Sequence, residues 1–238
     1  MSVRPGLGGV TKMGHPIPRI STPTEKDVDR RAADRVRLFE RVAIGLAHEA
    51  KNPLHNMALH LQLLAEELKS PQRAGDSRVE KHIPALRDGI GRVDALLRSF
   101  GEFAVPEHLP PDLAAAARRA IQLFAYDVRR AAVQVAQRGP QALLVESDSS
   151  CLGDLVAHAL LACLEYARDG GRVDVTLEIR GPKAVMEIRA DGGLGNREHA
   201  LPHLDAARRL APEAACELSI ETPTAGGARL SLSFPHPR

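Results

Sequence analysis

Between residues 79 and 100 the apolar side chains fall at Val79, Ile83, Leu86, Ile90, Val93, Leu97 and Phe100, in alternating steps of four and three without a miss. That spacing is a helical seam of coiled-coil type. A second stripe precedes it, with Phe39, Ala43, Leu46, Ala50, Pro53 and Met57 followed by Leu61, Leu64 and Leu68. Between the stripes, SPQRAGDS at 70–77 is turn chemistry, rich in Pro, Gly, Asp and Ser. Residues 26–104 therefore read as a helical hairpin. A lone hairpin leaves much of both stripes wet. The economical solution is a symmetric dimer forming a four-helix bundle; the alternative is a hairpin packed onto the chain's own C-terminal part.

The segment 105–112, VPEHLPPD, breaks the helix and reads as a linker. After it the pattern changes to α+β over 105–238. A helix is expected at about 112–130, then short strands near VQVAQ and ALLVE. A helix from about Ser149 to Arg168 ends at Gly170-Gly171. RVDVTLEIR and AVMEIRA alternate as a hairpin around Gly181-Pro182. A helix at about 197–210 and a final hairpin of CELSIE and ARLSLSF complete a two-layer α/β sandwich. Residues 1–25 have no periodicity and read as a flexible tail.

Bulk composition narrows the function classes. Lys plus Arg is 32 and Asp plus Glu is 30, a near-balance that gives no push toward nucleic acid or an anionic membrane. Aromatics are 3% of the chain, too few for base-stacking platforms. Cys151, Cys163 and Cys216 show no paired spacing, which suits a reducing compartment. The N-terminus has no apolar signal core, and the densest apolar stretch, LVAHALLACL, is too short to span a bilayer. The reading is a soluble cytoplasmic protein.

Chemistry concentrates in GLAHEAKNPLHNM, on the first helix. His48 lies about 200° of rotation from both Leu46 and Ala50, away from the seam. Asn52 is one turn on, on the face of His48, and Glu49 is adjacent. Pro53 has no N–H, so the Glu49 carbonyl loses its helical partner and a bend is expected one turn after the histidine. A neutral, solvent-facing imidazole is a good nucleophile near pH 7, and a neighbouring carboxylate can orient it or take its proton. His48-Glu49 opens like a zinc-binding H-E-x-x-H, but the fifth residue is Asn52, and no metal is called for.

AHEAKNPLHNM resembles the phosphoacceptor box of sensor histidine kinases, a His-Glu-x-x-Asn-Pro-Leu pattern on the first helix of a dimerisation hairpin. The resemblance implies that His48 is the phosphorylated residue, that Glu49 assists proton transfer, and that Asn52 aids dephosphorylation or transfer from a partner's aspartate. The region from about Pro110 onward is similar to the ATP-binding domain of the same family. Anchored on Gly170-Gly171, His158 falls on the first asparagine position of the family's asparagine-rich helix and Ala162 on the second, which holds magnesium there. An alanine methyl cannot ligate a hard cation. In RADGGLGN, Asp191, Gly193 and Gly195 match the family's Asp-x-Gly-x-Gly box, whose aspartate reads adenine. The second glycine-rich box is absent, since Asn196 to Ala225 contains no glycine.

The metal and phosphate apparatus of the family is thus missing while an adenine corner remains in outline. ATP-dependent phosphoryl transfer depends on positioning and charge neutralisation, so autokinase activity is not expected. The favoured reading is a phosphorelay protein needing no cofactor: a dimeric histidine phosphotransferase carrying phosphate on His48 between response-regulator receiver domains. A sensorless histidine kinase with an unusual ATP site and a non-enzymatic signalling adaptor are the alternatives.

Overall fold

The computed structural model describes residues 25–69, 80–104, 110–192, 195, 197–222 and 227–237. The expected tail, the turn at 70–77, Val79, Gly193 and most of the linker lie outside them. Helix α1 (Glu25–Lys69) runs for 45 residues and stays helical through the buried Pro53. Helix α2 (His82–Ala104) returns along it. At one end Phe39 meets Phe100 edge-on, with ring centroids 6.2 Å apart, and Phe103 at 5.3 Å. In the middle Met57 lies over Gly89, where an added Cβ would collide with the thioether. Further along, His60 Nδ1 is 3.0 Å from His82 Nδ1, and His82 Nε2 is 3.4 Å from Glu67.

The seam of α2 separates into two rows of period seven. Leu86, Val93 and Phe100 are half-buried, whereas Ile83, Ile90 and Leu97 are exposed. On α1 a matching row of Leu54, Leu61 and Leu68 is exposed as well. These six side chains are between 47% and 66% accessible. The first half of α1 behaves differently. Leu38, Val42 and Gly45 are buried against the C-terminal region, and Ala43, assigned to the stripe by spacing, is exposed.

The C-terminal region is a two-layer sandwich. Its five strands are β1 (Gln134–Arg138), β2 (Arg172–Arg180), β3 (Lys183–Asp191), β4 (Glu217–Glu221) and β5 (Ala228–Pro235), in the order β1-β2-β3-β5-β4. Only β1 and β2 are parallel. Val173, Val175 and Leu177 on β2, and Leu230, Leu232 and Phe234 on β5, point to the helical layer. The alternate residues stay partly or fully exposed, which is the two-period pattern of a sheet covered on one face.

The helical layer contains α3 (Leu113–Leu123), α4 (Ala125–Arg130), α5 (Ser149–Ala167) and α6 (Arg197–Glu213). The expected single helix at 112–130 breaks at the buried Phe124, whose φ of −97° and ψ of 18° leave the helical region. The strand expected at ALLVE is an isolated bridge between Asp112 and Leu144. Its backbone is spoken for elsewhere: Leu113 N–H donates to Leu143 O at 2.8 Å and Val145 N–H to Pro111 O at 2.9 Å. Asp112 also caps α3, accepting from Ala114 and Ala115 N–H, and takes Leu143 N–H as a third donor. This segment therefore pins the start of α3 instead of extending the sheet.

Ion pairs fasten the sandwich to the first half of α1. Arg31 meets Glu213 at 2.7 Å, Arg209 meets Asp34 at 2.6 Å, and Arg35 meets Asp154 at 3.4 Å. Arg41 spans Asp127 on α4 at 2.9 Å and Glu165 on α5 at 2.8 Å. Asp34, Asp127, Asp154 and Glu165 are all buried, so every pair but Arg31–Glu213 sits at a desolvated seam and not on an open surface.

Candidate functional site

His48 stands on α1 facing outward, but it is not alone there. The ring of Tyr126 on α4 stacks on its imidazole, with centroids 4.5 Å apart and planes 4° from parallel. The break at Phe124 turns α4 against α1, where it faces the buried Gly45. An added Cβ at Gly45 would sit 3.4 Å from Tyr126 Cβ and 3.8 Å from the Leu123 carbonyl. One turn earlier Arg41 holds Asp127, and next to the histidine Glu49 forms an ion pair with Arg129. The four contacts alternate between the helices, so α4 is held along its length.

Asn52 is exposed one turn beyond His48, and Pro53 is buried behind it. His48, Glu49, Lys51, Asn52, Tyr126, Arg129 and Arg130 line one open cavity of about 460 Å³. Three cations face one carboxylate in it, and that carboxylate is engaged by Arg129. The cavity therefore favours an anion, and the histidine edge opens onto it. Glu49, assigned by resemblance to proton transfer, has its charge directed at Arg129. Its neighbour Asn52 lies along both this cavity and a second one between α1, α2 and α3 that includes Leu46, Pro53 and Leu96.

The second set of residues read from sequence lies on α5 and at the end of β3. His158 is buried, and its Nδ1 is 3.1 Å from Nδ1 of His203 on α6. Two turns on, Glu165 Oε2 is 3.9 Å from His199 Nδ1, at the start of α6. Ala162 lies between those contacts and is 0% exposed. Its face of α5 is thus packed against α6, which buries Ala200, Leu204, Ala207, Leu210 and Ala211. Helix α6, from the glycine-free stretch, covers this face. Burial pulls His158 down to about 3, with His203 and nearby arginines adding to it, and His203 to about 4, with Arg41 and Arg37 adding to it and Glu165 and Asp34 opposing it. Both rings are neutral at pH 7, so one donates and the other accepts.

Asp191 ends β3 at the surface, with its carboxylate paired to Arg189 at 2.8 Å. Gly195 is needed for packing: a Cβ there would run into the carbonyl oxygens of Glu165 and Tyr166. Gly193 lies outside the described residues. Among the described residues this region offers no side-chain oxygen at Ala162 for magnesium, and α6 closes the face of α5 at His158 and Ala162, while Glu165 and Arg168 at its end line an open cavity; the buried alanine does not fit a magnesium-nucleotide site. Among the described residues no group of three or more His, Cys, Asp or Glu could hold a metal ion, and no helix is long and apolar enough to cross a membrane.

Residues that the sequence did not single out complete the arrangement: Tyr126, Arg129 and Arg130 beside His48, and Arg41 with Asp127 and Glu165 behind it. No motif or period in the sequence signals them, and a Cβ at Gly45, which faces Tyr126, would make only ordinary contacts.

No protein-family model matches the chain, and no curated protein does. Among solved structures it is similar to a bacterial phosphotransferase, at 17% identity over 83% of this chain and 96% of that one, with a TM-score of 0.48. It is similar to the histidine kinase ThkA in complex with the response regulator protein TrrA, at 15% identity over 89% of this chain and 66% of that one, with a TM-score of 0.45. It is also similar to the Acinetobacter baumannii histidine kinase AdeS, at 10% identity over 80% and 98%, with a TM-score of 0.45.

Proposed function

We propose that this protein is a dimeric histidine phosphotransferase of two-component signalling, which takes a phosphoryl group from a receiver-domain aspartate onto His48 and passes it to another receiver. The observation that carries the reading is a contrast within one chain. His48 opens onto a cationic cavity, whereas His158 and Ala162, the positions of α5 that resemble a nucleotide site, are buried against α6. Transfer between aspartyl phosphate and histidine needs no nucleotide, and the receiver brings its own metal. His48 is the nucleophile. Glu49 orients Arg129 at the cavity wall, and Asn52 faces the incoming phosphoryl group or the water that removes it.

The dimer in this reading uses the exposed rows of the hairpin. Leu54, Leu61 and Leu68 on α1 and Ile83, Ile90 and Leu97 on α2 repeat every seven residues, the spacing with which a second hairpin would interlock.

The test has two arms. The pure protein is incubated with labelled ATP, and separately with a panel of phosphorylated receiver domains. Label is expected from receivers, lost in His48→Ala and kept in Asn52→Ala with altered loss of phosphate. Glu49→Ala is expected to slow transfer without abolishing it. Labelling by ATP at His48 would instead establish a kinase. Failure of every receiver, or wild-type labelling of His48→Ala, would leave the adaptor.

A further inference from the structure

We infer that the C-terminal sandwich forms a fixed half of the phosphohistidine site: Tyr126 is a positioning residue for the His48 ring, and Arg130 with Lys51 receives the oxygens of the transferred phosphoryl group. The inference rests on the phosphoacceptor reading and assigns the sandwich a task in it other than nucleotide binding.

Three observations converge. An exposed histidine on a helix is ordinarily free to change rotamer, and a nucleophile that wanders loses rate. Here the parallel stack at 4.5 Å covers one face of the imidazole and leaves its edge, which carries both nitrogens, uncovered. Second, the stack is built in. The buried Gly45 faces the Tyr126 side chain, Arg41 grips Asp127 next in sequence to Tyr126, and Glu49 grips Arg129. Helix α4 has only six residues, so its position is set by these contacts and not by its own stability. Third, the cations are divided. Arg129 is taken by Glu49, while Lys51 and Arg130 line the same cavity and make no ion pair among the described residues. A phosphoryl group on histidine brings about two negative charges and strong acceptor oxygens, and paired cations at such a group stabilise both its arrival and its stay.

The step balances simply. The imidazole nitrogen without hydrogen gives its lone pair to phosphorus as the bond from phosphorus to the leaving atom breaks. The leaving atom keeps that bond's electron pair; in an aspartyl phosphate it is a carboxylate oxygen. The proton on the other ring nitrogen is shed to water afterwards. Tyr126 takes no part in bond making, which is why its role is separable from that of His48.

Phosphoramidate is a suitable probe because it needs no receiver surface; the same step expels ammonia. The full chain and its variants are treated with it, and phosphorylation of His48 is followed by intact mass against a His48→Ala background. The His48 ring protons are observed by NMR, where a stacked phenol displaces them upfield. Tyr126→Ala is expected to slow labelling about tenfold and to abolish the displacement. Tyr126→Phe, which keeps the ring, should restore both. Arg130→Gln should slow labelling several-fold and reduce its sensitivity to salt while leaving the displaced signals in place. Wild-type rates in both Tyr126→Ala and Arg130→Gln would overturn this inference and leave the phosphoacceptor reading standing. Wild-type protein that labels no faster than His48→Ala would overturn both.

Discussion

Arg41 is the side chain on which the docking of α1 and the sandwich turns, and its removal should be costly in a way that can be worked out. The guanidinium is 26% exposed, while the two carboxylates it bridges, Asp127 and Glu165, are 8% and 5% exposed. Arg41→Met keeps the length and the apolar stem but strands two buried carboxylates. Breaking a buried pair from one side costs about 3–5 kcal/mol. Glu165 keeps Arg168 at 3.4 Å, so the low end applies, roughly 3 kcal/mol. That is a large part of the stability of an ordinary domain. Urea denaturation of the full chain at pH 7 should show the loss as a lower midpoint. The triple variant Arg41→Met, Asp127→Leu, Glu165→Leu removes every charge and should recover most of it. If Arg41→Met costs less than about 1 kcal/mol, as an exposed pair would, the network is screened by solvent and does not fasten the sandwich.

Three further outcomes are expected. Mg-ATP should show no heat of binding at millimolar ligand, and Ala162→Asn should not create any, because an amide inserted at a fully buried site overpacks the α5–α6 contact; a micromolar dissociation constant would count against this. Ile90→Asp should split the proposed dimer, since it places an unpaired charge in an apolar interface, and light scattering that shows an unchanged dimer would exclude the exposed rows as its contact. His158 and His203 titrate at about 3 and about 4 in the folded chain but near 6.5 when unfolded, so the folded form binds fewer protons below that value. Their contribution is complete above about pH 6.5 and drains as pH falls toward 3, by at most about 1.4 kcal/mol per unit for each ring. Asp154, raised by burial, works in the opposite sense, so the measurement compares urea midpoints of wild type with His158→Leu, His203→Leu from pH 7.5 to 5, and equal slopes would refute it.

The parts of the fold that could be read from sequence are those with a local period. The α2 seam repeats along one helix, and the β2–β3 hairpin turns at Gly181-Pro182 as its alternation requires. ALLVE alternates just as well, but alternation does not say which backbone a segment pairs with, and here it is the entry to α3. The break at Phe124 carries no Gly or Pro; it follows from burying that ring, which is a tertiary matter. The site divides in the same way. His48, Glu49 and Asn52 share one helix turn and one motif. Tyr126, Arg129 and Arg130 reach them only because α4 docks, and nothing periodic in AYDVRR announces that. Likewise the sequence between Asn196 and Ala225 shows a missing glycine lid, but only the burial of Leu204 and Ala207 shows that α6 covers α5 at Ala162.

The chain's own C-terminal part and the second copy proposed above would occupy different lengths of α1. Contacts to the sandwich run from Arg31 to Glu49 and bury Leu38 and Val42. The exposed rows begin at Leu54, on the far side of Pro53, and continue to Leu68. The two faces do not compete for the same side chains, so a dimer built on the distal half leaves the docked sandwich in place. Pro53 marks the border, and the turn carrying His48, Glu49 and Asn52 lies immediately before it. In the proposed dimer a docking receiver would therefore meet a histidine held from one side by the sandwich and carried on a helix whose continuation is tied into the bundle. In that reading neither support depends on a nucleotide. That arrangement suits a residue that must present the same geometry to a donor and then to an acceptor, because the cost of fixing the ring is met by folding and not repeated at each transfer.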